Sequence, residues 1–257
     1  MDFARSRQES AHFEYVAETG STNTDLIASA ASLPDFSVRV AGYQNAGRGR
    51  SGRQWLAPEG SSLFVSILLK PTGMSATKFS WLPLIAGLAM TEAVSYLIAP
   101  TKPTLKWPND VLINERKISG ILSELVPDLS GVVVGAGLNV LQTQEELPIE
   151  NATSLAIENA HTLNLDEVLA RYLVSFKSHY SRFVGASGDA VKSGIRFSVM
   201  ETCGTLNRKV RAILPGDSEV IGEAVGIDDS GRLILLPDGA NQVMPVAAGD
   251  IVHLRHN

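Results

Sequence analysis

Three arginines alternate with glycines in one short segment, which reads Gly-Arg-Gly-Arg-Ser-Gly-Arg-Gln-Trp from residue 47 to 55. Glycine lets a backbone approach a ligand closely and expose its N–H groups. Guanidinium groups donate planar, charge-assisted hydrogen bonds to phosphate or carboxylate oxygens. The segment lies between two predicted strands and ends in an aromatic residue. This placement favours an anion-binding loop over a flexible, solvated one.

A second charged motif reads Lys-Trp-Pro-Asn-Asp from residue 106 to 110, and Lys117 and Gly120 follow it. The carboxylate of Asp110 can hold a divalent metal on a triphosphate. Lys117 is a compact point charge that suits an α-phosphate or a reacting carboxylate. Taken alone, Asn-Asp after proline is more often a turn, and a lone lysine is usually a solvated surface group. The spacing leaves these alternatives open.

Neutral polar residues form two further candidates. Small residues at 135–137 leave room for a ring system, and Asn139 can bind a purine edge or a ribose hydroxyl; close packing of a strand on a helix is the alternative. The segment lacks the third glycine of a dinucleotide-binding fingerprint. Ser21, Thr22 and Asn23 with Gln44 suit a polar, uncharged group such as a cyclic urea. Capping of the following helix is equally compatible with these residues.

The composition excludes several classes of protein. Hydrophobic residues make up 44% and charged residues 19% of the 257 residues, as in globular proteins, and the net charge of −5 argues against a general nucleic-acid binder. The single cysteine, Cys203, excludes an intramolecular disulfide and a cysteine-rich metal site. The first twelve residues contain no apolar run typical of a signal peptide. The longest apolar stretch, 79–90, is too short to span a bilayer. A cytoplasmic protein that binds neither nucleic acid nor membrane is expected.

Apolar periodicity and turn residues divide the chain into a large and a small unit. Strands are predicted at 13–16, 37–42, 62–69, 105–107, 111–113, 116–126 and 131–140, and helices at 24–32, 79–97 and 165–183. Five short strands follow at 209–213, 220–227, 233–236, 242–246 and 251–254, with a turn at 215–217. We therefore predict a lead-in at 1–12, a catalytic domain at 13–196 and a small β-barrel at 197–257.

Together these motifs closely resemble the biotin–protein ligases. The resemblance runs in order over residues 13–255 and is most specific in the arginine–glycine segment combined with Lys-Trp-Pro-Asn-Asp. The other matching segments are Ser-Thr-Asn at 21–23, Gln44, Lys-x-x-Gly-Ile-Leu-x-Glu at 117–124, Gly-Ala-Gly-Leu-Asn-Val at 135–140, Ala-Thr-Ser-Leu at 152–155, a glycine-containing stretch at 222–233 and Gly-Asp at 249–250.

The resemblance implies an α+β fold. Its catalytic domain would be similar to class II aminoacyl-tRNA synthetases, with a mixed sheet flanked by helices, and an SH3-like β-barrel would follow. Some family members also carry an N-terminal winged-helix domain and repress transcription. Because only about a dozen residues precede the first predicted strand, we expect a form without this DNA-binding domain.

The family's activity is ATP-dependent. It forms biotinyl-5'-AMP from biotin and ATP with Mg²⁺, and transfers biotin to a specific lysine of a biotin carboxyl carrier protein domain. A homodimer joined through the sheet edge is common in the family, although these residues do not by themselves indicate one.

The resemblance also implies the role of each site residue. The catalytic residues would be Lys117, Arg50 and Arg48. Biotin would be bound by Ser21, Thr22, Asn23, Gln44, Arg48, Gly49, Arg50, Lys117 and Gly120. ATP and the adenylate would be bound by Arg48, Arg50, Arg53, Trp55, Asn109, Lys117 and Asn139. Asp110 would hold Mg²⁺.

Two alternatives differ in function. A lipoate–protein ligase shares the fold and the two-step chemistry, but the arginine–glycine segment and Lys-Trp-Pro-Asn-Asp argue against it. A non-catalytic protein that senses biotinyl-adenylate is the other alternative, and the full set of charged site residues argues against that one.

Overall fold

The computed structural model describes residues 2–214, 216, 218–247 and 249–254. The helices are α1 (Ala4–Gln8), α2 (Thr22–Ser29), α3 (Leu82–Leu97), α4 (Leu165–Gly185) and α5 (Ile195–Thr202). The strands are β1 (His12–Thr19), β2 (Ser37–Gln44), β3 (Ser62–Leu69), β4 (Thr104–Lys106), β5 (Asp110–Ile113), β6 (Arg116–Leu125), β7 (Val132–Asn139), β8 (Lys209–Ile213), β9 (Glu219–Ile227), β10 (Leu233–Pro237), β11 (Met244–Val246) and β12 (Asp250–His253).

Strands β1 to β7 form the main sheet, in the order β1-β2-β3-β7-β6-β5-β4. β1 and β2 are parallel, whereas the other neighbouring pairs are antiparallel, so the sheet is mixed. β3 lies inside this sheet and is buried along its whole length, which explains its nearly continuous run of apolar residues. Its predicted bounds, 62–69, are confirmed.

Helices cover both faces of the main sheet. Leu26 of α2 packs with Leu68 of β3 and Val133 of β7 in a small cluster. The adjacent residues of the same strands, Ile67 and Val134, belong to the main core, which also contains residues of α3 and α4. Successive side chains of a strand point to opposite faces. Burial on both faces therefore holds β3 and β7 rigidly in the middle of the sheet.

The two long helices differ in how closely their bounds match the predicted ranges. α3 begins at Leu82 rather than at residue 79, because a 3₁₀ turn occupies Ala76–Trp81. Pro83 lies in the first turn of α3, where its missing N–H breaks no helical hydrogen bond. α4 confirms the predicted helix, and the Asn164 side chain caps it by accepting a hydrogen bond from the backbone N–H of Glu167 at 3.0 Å.

Two short helices lie outside the sequence prediction. α1 falls within the predicted lead-in and docks on α4, because the Ser6 hydroxyl donates to Asp166 Oδ1 at 2.7 Å. α5 crosses the predicted boundary between residues 196 and 197. Helices of five and eight residues are too short to display a clear apolar repeat. The division of the chain into two domains stays a prediction.

Strands β8 to β12 form the small sheet, which is antiparallel and has the order β11-β10-β9-β8-β12. Each lies within two residues of its predicted range. Pro215 and Asp217 of the predicted turn lie outside the described residues. Val210, Ala224 and Leu235 of the small sheet join the same core as the main sheet. The predicted α+β class is confirmed.

Two buried tryptophans bind the small sheet to the main sheet. The indole N–H of Trp81 donates to the carbonyl of Asp229, and that of Trp107 donates to the carbonyl of Gly231, both at 3.0 Å. Both acceptors lie in the turn between β9 and β10. These bonds fix the small sheet beside the segment that carries the Lys-Trp-Pro-Asn-Asp motif. Within the described part of the chain, no helix has the length and apolarity needed to cross a membrane.

We expect Trp107→Phe to lower the free energy of unfolding by about 1–3 kcal/mol more than Trp55→Phe, because it leaves the buried carbonyl of Gly231 unpaired. The indole N–H of Trp55 is buried and has no hydrogen-bond partner among the described residues, so Trp55→Phe is the control for lost volume. Urea unfolding curves of both variants measure the difference. Equal losses of stability would contradict a contribution from the hydrogen bond.

Candidate active site

Every predicted site residue lines one of two adjoining cavities. The large cavity, of about 240 Å³, contains all the charged candidates and several uncharged ones, namely Arg48, Gly49, Arg50, Arg53, Trp55, Asn109, Asp110, Lys117, Gly120 and Asn139. The small cavity, of about 30 Å³, contains Ser21, Thr22, Asn23 and Gln44. Arg48, Trp55 and Gly120 line both cavities. Segments far apart in sequence therefore meet at one place.

The arginine–glycine segment forms a hairpin, residues 47–55, rather than an open loop. Its backbone is closed by hydrogen bonds from Trp55 N–H to the Gly47 carbonyl at 2.9 Å and from Gly49 N–H to the Arg53 carbonyl at 2.7 Å. Ser51 and Gly52 at its tip have positive φ values of 54° and 73°. We call this segment the glycine–arginine hairpin.

Trp55 seats the glycine–arginine hairpin on the main sheet. A Cβ at Gly120 of β6 would lie 2.7 Å from its ring, and one at Gly137 of β7 would lie 2.5 Å from it. Only glycine leaves room for the indole at these two positions. Lys117 Nζ lies 5.4 Å from the centroid of the Trp55 ring, a cation–π distance. In this structure Trp55 therefore pins the hairpin to the floor of both cavities.

All three arginines of the hairpin lie within ion-pair distance of a carboxylate in another segment, and Arg50 is the most distant, with its Nη1 3.9 Å from Asp250 Oδ1. Arg48 Nη2 lies 2.9 Å from Glu124 Oε1, and Arg53 Nη2 lies 2.7 Å from Asp250 Oδ1. Glu124 belongs to the main sheet and Asp250 to the small sheet. The hairpin is thus attached to both sheets through charge-assisted contacts.

Arg50 joins the hairpin to two more groups. Its Nη1 donates to Asn109 Oδ1 at 2.9 Å, and its Nη2 donates to the carbonyl of Gly249 at 3.0 Å. Burial lowers the pKa of the Arg50 guanidinium, and the nearby carboxylate of Asp250 offsets part of that shift. The side chain that the sequence predicts to contact an anion is therefore partly desolvated and held in one orientation by protein groups.

A lysine and a carboxylate that line the large cavity form an ion pair. Lys117 Nζ lies 2.6 Å from Asp110 Oδ1. Lys106 lies opposite Asp110 in the β4–β5 pair, and burial lowers the pKa of its ammonium group. Lys106 belongs to the Lys-Trp-Pro-Asn-Asp motif, but no role is predicted for it, because the sequence alone does not indicate that this lysine is buried.

Asn139 connects β7 to the segment that follows it. Its side-chain amide donates to the carbonyl of Thr153 at 3.0 Å, and its Oδ1 accepts from Gln142 Nε2 at 3.3 Å. The same segment pairs with Lys117, whose N–H donates to the carbonyl of Asn151 at 2.9 Å. Ala152, in the middle of this segment, lines the large cavity together with Lys117.

The small cavity is lined by a network of neutral side chains. Gln44 Oε1 accepts from the Thr22 N–H at 2.8 Å, so it satisfies the start of α2. The Ser66 hydroxyl lies 2.7 Å from Thr22 Oγ1 and 2.6 Å from Asn23 Oδ1. Asn23 Nδ2 donates to Glu124 Oε2 at 2.9 Å. The side-chain oxygen of Gln44 therefore caps α2, and the hydrogen bonds of this network hold the side chains of Thr22, Asn23 and Ser66 in place.

Two donors of the small cavity remain for a ligand. Within residues 2–214, 216, 218–247 and 249–254, neither Ser21 Oγ nor Gln44 Nε2 forms a hydrogen bond with the protein. Both side chains are buried, at 6% and 9% exposure. A small ligand with polar, uncharged groups would satisfy these donors.

The sequence motifs do not indicate a role in the site for Ser66 or Glu124. Ser66 is a polar residue in the middle of a strand that is buried throughout. A lone serine in an apolar run is the sequence feature that indicates a role for it. Glu124 ends the motif at 117–124, but only the strand register shows that its carboxylate reaches Asn23 and Arg48.

The described residues contain no group of three or more His, Cys, Asp or Glu side chains that could hold a metal ion. A metal brought in with a nucleotide needs only one or two carboxylates, since Mg²⁺ keeps water and phosphate ligands. Asp110, in the large cavity, fits that smaller requirement.

Two family models match the chain. One, described as the Biotin/lipoate A/B protein ligase family, matches residues 15–139, and the other, described as the Biotin protein ligase C terminal domain, matches residues 205–254. Between them they cover the main sheet and the small sheet.

Characterised relatives match most of the chain. The biotin--[acetyl-CoA-carboxylase] ligase of Mycobacterium tuberculosis is 39% identical over 246 residues, which cover 94% of this chain and 89% of that protein. The bifunctional ligase/repressor BirA of Escherichia coli is 33% identical over 235 residues, covering 90% of this chain and 70% of that protein.

The fold agrees with a solved structure, the biotin protein ligase from Aquifex aeolicus in complex with biotin and ATP. That match has a TM-score of 0.78 and 29% identity, and it covers 96% of this chain and 100% of the other. It confirms the expected class II aminoacyl-tRNA synthetase-like catalytic fold followed by a small β-barrel. On the sequence identity, the two family models and the shared fold, the chain belongs to the biotin–protein ligases.

Proposed function

We propose that this protein forms biotinyl-5'-AMP from biotin and ATP, and transfers biotin to one lysine of a biotin carboxyl carrier protein domain. The junction of the two cavities supports this function most directly. A neutral polar cavity opens into a cationic one at Arg48, Trp55 and Gly120. Biotin has an uncharged ureido ring at one end and a carboxylate at the other. This polarity matches the order of the cavities.

The small cavity would bind the ureido ring. Ser21 Oγ and Gln44 Nε2 would pair with the ring, while Thr22 and Asn23 keep their positions through internal hydrogen bonds. The carboxylate end would then point past Gly120 into the large cavity. There Arg48, Gly49, Arg50 and Lys117 would surround it.

The large cavity would bind ATP and the adenylate. In the reaction the biotin carboxylate attacks the α-phosphorus of ATP and pyrophosphate leaves, so two anions must come together. Arg48, Arg50 and Lys117 would supply the positive charge; removing one such preorganised donor typically costs about 10²- to 10³-fold in rate. The remaining predicted contacts are Arg53, Trp55, Asn109 and Asn139.

Mg²⁺ would enter with ATP and neutralise part of the charge on its phosphates. Asp110 would hold it, since this carboxylate lies in the large cavity and needs only to release Lys117 Nζ, now 2.6 Å away. The released Lys117 would then be available to the reacting carboxylate and the α-phosphate.

The partner is proposed to be a carrier domain of a biotin-dependent carboxylase. The Mycobacterium tuberculosis and Paracoccus denitrificans relatives are named biotin--[acetyl-CoA-carboxylase] ligases, which supports this class of acceptor. The adenylate is a mixed anhydride that reacts with water and with any amine. The glycine–arginine hairpin would cover it until the acceptor lysine arrives.

The proposed function is tested by incubating the protein with biotin, Mg-ATP and a biotin carboxyl carrier domain, and then measuring the intact mass of the carrier. We expect one biotin per carrier, with no addition when ATP is omitted or when the acceptor lysine is replaced by arginine. Addition of lipoic acid instead of biotin under the same conditions would contradict the proposal.

We expect Lys117→Ala to slow formation of biotinyl-adenylate by about 10²- to 10³-fold, because a charge that stabilises the reacting anions is lost. Its dissociation constant for biotin should change much less. Single-turnover chromatography measures the first quantity and calorimetry the second. The control is Lys192→Ala, which removes a lysine whose side chain is 79% exposed. A normal adenylation rate in Lys117→Ala would refute the assignment.

Arg50→Gly should release biotinyl-adenylate faster, because it removes the bonds that tie the hairpin to Asn109 and Gly249. Free adenylate in solution and biotin on a non-cognate protein should both increase. Arg5→Gly, which removes an exposed arginine outside the site, is the matched control. If neither quantity rises above that control, the hairpin does not retain the adenylate.

A further inference from the structure

One carboxylate connects the glycine–arginine hairpin to the small cavity. Glu124 Oε1 lies 2.9 Å from Arg48 Nη2, and Glu124 Oε2 accepts from Asn23 Nδ2 at 2.9 Å. Arg48 belongs to the hairpin and Asn23 to α2. Glu124 itself lines neither cavity. Its effect on a ligand must therefore pass through the two residues that it holds.

The contact with Glu124 sets the orientation of the Asn23 amide. One N–H of Asn23 donates to the Leu122 carbonyl at 3.2 Å and the other to Glu124, so both donors are used. The amide oxygen is therefore turned to the other side, where it accepts from Ser66 at 2.6 Å. A Cβ at Gly135, which also lines the small cavity, would collide with this oxygen. The amide has no second orientation that satisfies these partners.

The same carboxylate holds Arg48 at the junction of the cavities. Ion pairs between exposed side chains contribute little, because water competes and two flexible chains must be ordered. Here the Arg48 side chain is 51% exposed, but that of Glu124 is only 19% exposed. The second oxygen of Glu124 is already fixed by Asn23. The carboxylate is therefore oriented before Arg48 reaches it, which lowers the entropy lost in pairing.

We propose that Glu124 is a positioning residue that couples closure of the glycine–arginine hairpin to the shape of the small cavity. With the hairpin closed, Arg48 covers the junction and Asn23 presents its amide oxygen to the cavity. The ligand in this inference, biotin, rests on the proposed function, whereas the anchoring of the hairpin rests only on the contacts of Glu124.

The test uses Glu124→Gln and Glu124→Asp in the full-length protein. Glutamine keeps the size of the side chain, but its one oxygen can satisfy only one of the two donors, and its amide N–H₂ faces the other. Aspartate keeps the charge but is one methylene shorter. Glu201→Gln, an exposed glutamate on α5, is the control for the loss of a negative charge. Thermal unfolding of each variant checks that it is folded.

The first readout is limited trypsin digestion of the ligand-free protein, followed by mass spectrometry. Cleavage after Arg48 requires the hairpin to leave the main sheet. We expect this cleavage to be about ten-fold faster in Glu124→Gln than in the wild type, the size expected when a hydrogen bond to a charged group is lost. An unchanged rate would overturn the anchoring role.

The second readout separates positioning from catalysis. In steady-state adenylation, Glu124→Gln should raise the KM for biotin about ten-fold, while kcat and the KM for ATP stay within about three-fold. Glu124→Asp should lie between the two proteins. Equal changes in the KM for biotin and the KM for ATP would overturn the coupling. A wild type with no biotin-dependent turnover would contradict the proposed function, and the cleavage comparison would still decide the anchoring.

Discussion

A carboxylate and a triphosphate repel each other, so a site that joins them must hold positive charge in place before either one arrives. In this protein each cation of the large cavity is held by an acceptor of its own. Arg48 pairs with Glu124, Arg53 with Asp250 and Lys117 with Asp110. Arg50 is held by an amide oxygen and a backbone carbonyl. Because these acceptors already order the cations, less conformational entropy is lost when substrate anions bind.

The rest of the fold supplies those acceptors. The main sheet contributes Glu124 and Asp110. Asp250 at the start of β12 and Gly249 just before it lie about two hundred residues from the arginines that they hold. The small sheet keeps its place because the Trp107 indole binds its β9–β10 turn. The small sheet is therefore part of the site, since it fixes one end of the glycine–arginine hairpin. The glycines of β6 and β7 leave room for the indole of Trp55, so that the hairpin can pack on the main sheet.

The residues that the sequence motifs single out come together in two adjoining cavities, while their roles there stay predictions. Arg48, Lys117 and Asn139 all line the large cavity, as expected. The strand at 62–69 was equally clear, since a nearly continuous apolar run has few other interpretations. The expected loop at 47–55 proved to be a closed hairpin, because its shape depends on the seat beneath Trp55.

Partner choice could not be predicted in the same way. Whether Glu124 meets Arg48 depends on the register of β6 against β7 and on how α2 packs, which are properties of the whole sheet. The same holds for Lys106, whose burial follows from its position in the β4–β5 pair beside the small sheet. The short helices α1 and α5 are fixed by tertiary contacts rather than by an apolar repeat.

We propose that this one site activates biotin by itself, before any carrier binds. The most direct measurement is the exchange of labelled pyrophosphate into ATP by the purified protein, with biotin and Mg²⁺ but without a carrier domain. We expect exchange that depends on biotin and saturates with it, because adenylate formation is reversible while the adenylate stays bound. Exchange without biotin, or exchange that appears only when a carrier is added, would contradict activation of biotin by this site alone.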